Sequence, residues 1–96
     1  NNTSKVYART YINAYERAEE FQSRYCEALE KYPQYCDLLL CKATSFSCSA
    51  MKALLHEKKK NTAEFKKMHA FVKKYKKDIL KQGGVHLKYK LFILVV

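Results

Sequence analysis

Apolar side chains recur every three or four residues along the first third of the chain. Residues 5–32 contain no Gly or Pro, and the apolar residues that recur at this spacing are Tyr7, Tyr11, Ala14, Ala18, Phe21, Tyr25, Ala28 and Tyr32. This spacing predicts one face of a long helix. Thr3 or Ser4 can cap its start. Pro33 is expected to end it, because the residue before a proline avoids the α region.

The middle of the chain predicts two shorter helices. Pro33 suits the first turn of a helix that runs to about residue 43. Residues 44–47, Thr-Ser-Phe-Ser, are rich in capping types and predict a polar connection. A third helix should then extend from about residue 48 to 59.

A fourth helix is expected after a cap at Asn61 or Thr62. Its apolar stripe would comprise Phe65, Met68, Val72, Tyr75 and Ile79. Gly83 and Gly84 should end it, since glycine accepts the left-handed conformation that terminates helices.

The tail, residues 85–96, has an ambiguous pattern. Apolar and polar residues alternate at its start as in a strand, but a lone strand has no partner in a helical domain. The apolar run 91–96 is far shorter than the roughly 20 residues that span a bilayer, so no transmembrane segment is expected. We expect the tail to fold back on the core as a short last helix. An edge strand paired or swapped in a dimer is the alternative, and the oligomeric state stays open.

The composition supports a helical fold. The chain has 96 residues, which favours one domain, and only two Gly and one Pro, too few turn residues for a β-sandwich. The sequence therefore predicts an all-α protein: a small disulfide-braced helical bundle of four to six helices in a single domain, residues 1–96.

The disulfides are predicted from the four cysteines, Cys26, Cys36, Cys41 and Cys48. An even number within a short segment of a small chain is typical of a disulfide framework, with reduced core thiols as the alternative. Their gaps of nine, four and six residues, with no histidine near, do not suggest a zinc site. Cys26–Cys36 with Cys41–Cys48 is favoured over Cys26–Cys41 with Cys36–Cys48, and either pairing would pin the second helix on both sides.

The net charge of +10 lies entirely in the second half of the chain. Residues 1–51 carry six basic and six acidic residues, whereas residues 52–96 carry thirteen lysines and three acids. Many of these lysines repeat every seven residues, opposite the predicted apolar stripe, along roughly 22 Å of helix. A solvated surface would explain them, but so would docking on an acidic partner, since a single-sign face costs self-repulsion. The candidate partner-binding residues are Lys59, Lys60, Lys66, Lys67, Lys73, Lys74, Lys77 and Lys81.

Other chemistry finds little support. No arginine follows Arg24 and no DNA-binding motif is present, so sequence-specific nucleic-acid recognition is not expected. The three histidines fit no catalytic pattern, and there is no Gly-rich phosphate loop or metal-ligand cluster. We therefore expect no enzymatic activity, no cofactor and no metal. A chain that starts at Asn1 without an apolar leader suggests a removed signal peptide and secretion, and the sequons at Asn1 and Asn2 are compatible with that.

Together, the expected secretion, the small size, the lysine and tyrosine content and the four cysteines resemble the sand-fly salivary anti-complement proteins. The residues that carry this resemblance are Tyr25-Cys26, Tyr35-Cys36, Cys41, Cys48 and the lysine series from Lys58 to Lys81. The resemblance implies inhibition of an early step of the host classical complement cascade. It assigns no individual functional residue.

The sequence thus predicts a secreted, non-enzymatic inhibitor that binds an acidic surface of a host plasma protein through its lysines. One alternative is a carrier of small hydrophobic ligands, with a pocket lined by the tyrosines of the first helix and the tail. Another is a protein that binds glycosaminoglycans or anionic surfaces. A membrane-active peptide is the least favoured, because the core should consume the apolar faces.

Overall fold

Helices account for nearly the whole chain. A computed structural model describes the backbone of residues 2–96 and the side chains of residues 12–96. The elements are α1 (Asn2–Lys31), a 3-10 helix (Pro33–Tyr35), α2 (Cys36–His56), α3 (Ala63–Lys74), α4 (Lys76–Lys81) and α5 (Leu87–Val95). There is no strand in this part of the chain, so the all-α prediction is confirmed.

Helices α1 and α2 form an antiparallel hairpin that is the main contact of the fold. Pro33 ends α1 as predicted, and it begins the 3-10 turn that leads into α2. Small buried residues, Ala14, Ala18 and Ala28, let α2 approach α1 closely. Phe21 stacks on Phe46 with ring centroids 5.6 Å apart. The predicted apolar face of α1 is thus the packing face over residues 14–28, while Tyr7 and Tyr11 lie outside the described side chains.

The predicted connection at residues 44–47 is wrong, because α2 runs through it without a break. Thr44 and Ser47 are fully buried, and Gln22 of α1 donates a hydrogen bond to the Ser47 hydroxyl at 2.9 Å. The segment contains no Gly or Pro to stop a helix. Its small polar side chains therefore serve as close-packing positions within one helix of 21 residues.

The ends of the later helices agree with the prediction only in part. Thr62 caps α3 by accepting a hydrogen bond from the Phe65 amide at 3.3 Å. The expected single fourth helix is divided at Tyr75, whose ψ of 19° separates α3 from α4. Helix α4 ends at Gln82, which adopts extended backbone angles. Neither glycine after it has a positive φ, so the predicted left-handed glycine stop is wrong.

A left-handed residue instead ends α2, at Lys58, where φ is 60°. The Lys58 amide donates to the Leu55 carbonyl, and the Lys59 amide donates to the Leu54 carbonyl. This is the paired hydrogen-bond pattern of a Schellman motif, which usually places glycine at that position.

The tail forms the short last helix that was expected. Val85 and Ile93 are buried, and Tyr89, Phe92 and Val96 pack at the edge of the core. A single apolar cluster therefore includes residues from α1 through α5. Its largest fully buried members are Met51, Leu54, Met68, Ile79, Ile93 and Val72.

The four cysteines are free thiols, so the predicted disulfide bracing is wrong in this structure. Three of them, Cys36, Cys41 and Cys48, lie on α2, so any complete pairing needs a bond within that helix. They are separated along the axis by about 7.5, 10.5 and 18 Å, whereas bridged Cα atoms lie within about 7 Å. Both predicted pairings depended on a turn at residues 44–47, which the continuous helix replaces.

Helix α2, together with the 3-10 turn before it, is long and apolar enough to cross a membrane by length and composition alone. Half of its most apolar window is buried inside the protein, and the core helix of a globular protein meets the same criterion. The expectation of no transmembrane segment therefore stays a prediction.

Candidate docking surface

Helix α3 separates its apolar and charged residues. Phe65, Met68 and Val72 are buried against the core. The four lysines of α3 are exposed, each more than about 100° around the helix from the centre of the buried side. These lysines are Lys66, Lys67, Lys73 and Lys74.

The break at Tyr75 changes the shape of the predicted ridge. Lys77 and Lys81 of α4 are exposed, but they lie on a helix that Tyr75 separates from α3. The straight 22 Å ridge expected from one uninterrupted helix is therefore wrong. Six of the eight candidate lysines occupy two consecutive helices instead, and Lys59 and Lys60 precede α3.

Three of the eight candidate lysines have acidic neighbours. Lys67 forms an ion pair and a hydrogen bond with Glu19, which raises the lysine pKa and ties α3 to α1. Lys59 pairs with Glu57 at 3.3 Å. Lys81 lines a recess of about 220 Å³ that also contains Asp37 and Asp78. These three lysines are less available to a partner than the others.

The remaining five lysines form no ion pair with any side chain in residues 12–96, and no acidic residue precedes position 12. We call this set the lysine face: Lys60, Lys66, Lys73, Lys74 and Lys77. Among these five, Lys74 also contacts an aromatic ring, with its ammonium 5.4 Å from the Tyr75 ring centroid.

The carboxylates of α3 and α4 influence tyrosines of α1 electrostatically. The pKa of Tyr15 is raised by burial and then by the charge of Glu19, with a smaller contribution from Glu64. The pKa of Tyr25 is raised to about 12 by burial and then by the charge of Asp78. Glu64 and Asp78 act on these tyrosines, and within the described residues neither carboxylate forms an ion pair with the lysine face.

The tyrosines of α1 are engaged in helix packing where the structure describes them. The Tyr25 ring is buried and meets Phe71 and Tyr75 edge-on, at centroid distances of 6.1 and 5.0 Å. This favours the interpretation of the aromatic residues as a packing seam over the interpretation as a ligand pocket.

A separate apolar cleft of about 330 Å³ opens at the α1–α2 turn, which sequence reasoning did not identify. It is lined by Arg24, Glu27, Ala28, Tyr32, Tyr35, Leu38 and Leu39. No residue of the tail contributes to it, so it is not the pocket proposed for a hydrophobic-ligand carrier. In the sequence, the cleft corresponds to the Tyr-Pro-Gln-Tyr turn. Helical periodicity did not show that the tyrosines of this turn are exposed and lie outside the core.

The histidines have structural contacts. His86 caps α5 by accepting a hydrogen bond from the Lys88 amide, and His69 stacks on Phe65 with its Nε2 atom 3.2 Å from the main-chain oxygen of Val96. Within the part of the chain that the structure describes, no group of three His, Cys, Asp or Glu residues could hold a metal ion.

No protein-family model matches this chain, and comparisons with curated proteins and with solved structures give no match either.

Proposed function

We propose that the protein is a secreted, non-enzymatic inhibitor that docks on an acidic surface of a host plasma protein through the lysine face. The resemblance to the sand-fly anti-complement proteins points to a component of the classical complement pathway as that target. The observation that carries the proposal is the set of five exposed lysines without carboxylate partners on α3, α4 and the loop before them.

Electrostatic complementarity explains what such a face can do. Opposite potentials steer two proteins together and raise the association rate, and the effect weakens with salt. Lysine suits this role because its ammonium is a mobile point charge, whereas arginine suits fixed bidentate contacts. The partner should therefore present a broad acidic patch instead of a single carboxylate pocket.

The first experiment measures association kinetics with the plasma protein that the chain retains at physiological salt. The variant Lys66→Glu, Lys73→Glu, Lys77→Glu should lower the association rate constant by about tenfold or more, because each reversal replaces an attraction by a repulsion. Raising the ionic strength should lower the association rate constant of the wild type. It should also bring the rate constants of the wild type and the variant closer together.

A matched variant controls for net charge. Arg17→Glu, Lys31→Glu, Lys42→Glu changes the same number of charges at exposed positions of α1 and α2. It should retain most of the wild-type rate if the lysine face is the docking surface. If the two triple variants lowered the association rate constant equally, the effect would depend only on net charge. That result would contradict the proposal.

The identity of the target is tested separately. Purified protein at micromolar concentration should inhibit haemolysis by the classical complement pathway, and the lysine-face variant should inhibit less. Absence of inhibition by the wild type would remove the complement target. Binding to heparin with the same dependence on the lysine face, and no retained plasma protein, would favour the glycosaminoglycan alternative.

A further inference from the structure

Helix α5 exposes an apolar stripe that the core does not cover. Leu87, Leu91, Leu94 and Val95 are 64, 55, 50 and 84% exposed. At about 100° per residue, these four side chains fall within an arc of about 100° on the outer side of the helix. The expectation that the core consumes every apolar face is therefore wrong for α5.

The helix that carries this stripe is fixed to the body of the protein. Ile93 is fully buried, and the Lys52 ammonium of α2 lies 5.3 and 5.2 Å from the ring centroids of Tyr89 and Phe92. His86 caps the first turn. The outer face is thus already formed, and a partner would not have to order the helix before binding.

Positive charge borders the stripe on both sides. Lys88 and Lys90 lie about 80° to either side of its centre. The chain contains no acidic residue after Asp78. A partner that covers this stripe must therefore combine an apolar interior with a negatively charged boundary.

A second copy of the chain satisfies these requirements poorly. Two such faces would bring Lys88 and Lys90 together with their own counterparts, and like charges oppose that contact. The helix is about 13.5 Å long and about 10 Å wide, far smaller than the roughly 800 Å² that each partner buries in a standard interface. An anionic bilayer has an apolar interior, a negative boundary and no minimum patch size.

We propose that α5 docks on membranes that contain anionic lipids. Leu87, Leu91 and Leu94 enter the boundary between headgroups and acyl chains, where interfacial helices lie about 5–10 Å deep. Lys88 and Lys90 then meet the lipid phosphates and carboxylates at the level of the headgroups. This inference does not rest on docking to a plasma protein, because it uses a different helix.

The test is sedimentation of the full chain with phosphatidylcholine vesicles, with and without phosphatidylserine. The wild type should bind the vesicles that contain phosphatidylserine and bind neutral vesicles much more weakly. The variant Leu87→Ser, Leu91→Ser, Leu94→Ser should bind at least about tenfold more weakly, because it removes the inserted apolar groups. Lys88→Gln and Lys90→Gln should each weaken binding about fivefold.

The control replaces exposed apolar residues elsewhere. Leu29→Ser, Leu38→Ser, Tyr35→Ser changes side chains that are 46–60% exposed at the α1–α2 turn. Circular dichroism confirms that each triple variant remains folded, and the control should bind vesicles as the wild type does.

Three results would overturn the proposal. The leucine variant could bind vesicles as tightly as the wild type. Alternatively, the variant Lys66→Glu, Lys73→Glu, Lys77→Glu could abolish vesicle binding while the leucine variant leaves it unchanged. Vesicle binding would then be purely electrostatic. Sedimentation velocity could also show a wild-type dimer that the leucine variant dissociates, without vesicle binding, which would assign the stripe to a second copy.

Discussion

Gly84 lies in the turn between α4 and α5, where Cys41 of α2 packs against it. A Cβ atom at position 84 would lie 2.8 Å from the Cys41 sulfur, whereas favourable contacts between heavy atoms lie near 3.5–4.0 Å. Overpacking of this kind costs about 1–3 kcal/mol. Replacing glycine by alanine where the backbone permits it gains about 0.4–1 kcal/mol through the unfolded state. We therefore expect Gly84→Ala to lower the free energy of unfolding by about 1 kcal/mol.

Gly83 is the matched control. A Cβ atom there would meet nothing within 4 Å, and its φ is not positive. Gly83→Ala should thus raise the free energy of unfolding by about 0.4–1 kcal/mol. In a Cys41→Ala background the obstructing sulfur is absent. Gly84→Ala should then raise the free energy of unfolding, as Gly83→Ala does.

Urea unfolding under reducing conditions, followed by circular dichroism, measures all four states of the double-mutant cycle. The coupling between Gly84 and Cys41 should be about 1.5–2 kcal/mol, the sum of the loss and the gain estimated above. Additive effects of the two substitutions would refute the reasoning, because they would mean that the turn before α5 does not press on α2 at Cys41.

The remaining predictions concern the interior of α2, the residue that follows its end, and the thiols. Thr44→Val should raise the free energy of unfolding by about 1 kcal/mol, because its buried hydroxyl has no hydrogen-bond partner within the described chain. Ser47→Ala should lower it by about 1–2 kcal/mol, because it removes the hydroxyl that accepts a hydrogen bond from the buried Gln22 amide. In urea unfolding, a destabilised Thr44→Val would contradict the first of these predictions and a stabilised Ser47→Ala the second. Lys58→Gly should raise the free energy of unfolding by about 1 kcal/mol, since an L-residue at positive φ costs about 1–2 kcal/mol, and an unchanged melting temperature would refute this. Iodoacetamide should label exposed Cys26 first and Cys48 only on unfolding, because burial raises the pKa of Cys48 to about 12; peptide mass mapping measures the order. The same burial makes stability fall from about pH 8.5, where an unfolded thiol ionises, towards pH 12, and Cys48→Ala should flatten that decline. Titration of unreduced, denatured protein should find at least two thiols, because two intramolecular disulfides would require α2 to break.

The local signals in the sequence predicted much of the secondary structure. Pro33 ends α1 because the ring of proline excludes the residue before it from the α region. Thr62 caps α3 through its own side chain. The repeat of Phe65, Met68, Val72, Tyr75 and Ile79 identified four buried residues and, in Tyr75, one that is partly buried. Each of these features depends on neighbours within a few residues, so periodicity and composition suffice to find it.

Predictions that depended on distant contacts were less successful. Thr44 and Ser47 have the composition of a connection, but burial against α1 keeps them within α2. That change places three cysteines on one helix and removes the basis for the disulfide pairings. Spacing along the chain could not reveal this, because it depends on whether a local polar segment is solvated or packed.

Sequence alone determined that this is a helical chain with its entire net positive charge in the second half, because both follow from residue order and short-range periodicity. Tertiary structure decided which charges are left unneutralised. It joins Lys67 to Glu19 across helices, and among the described side chains it leaves Lys66 and Lys73 without an ion pair. It also left the leucines of α5 in solvent, because a nine-residue helix with apolar residues on both its inner and its outer side can bury only the side that meets the core.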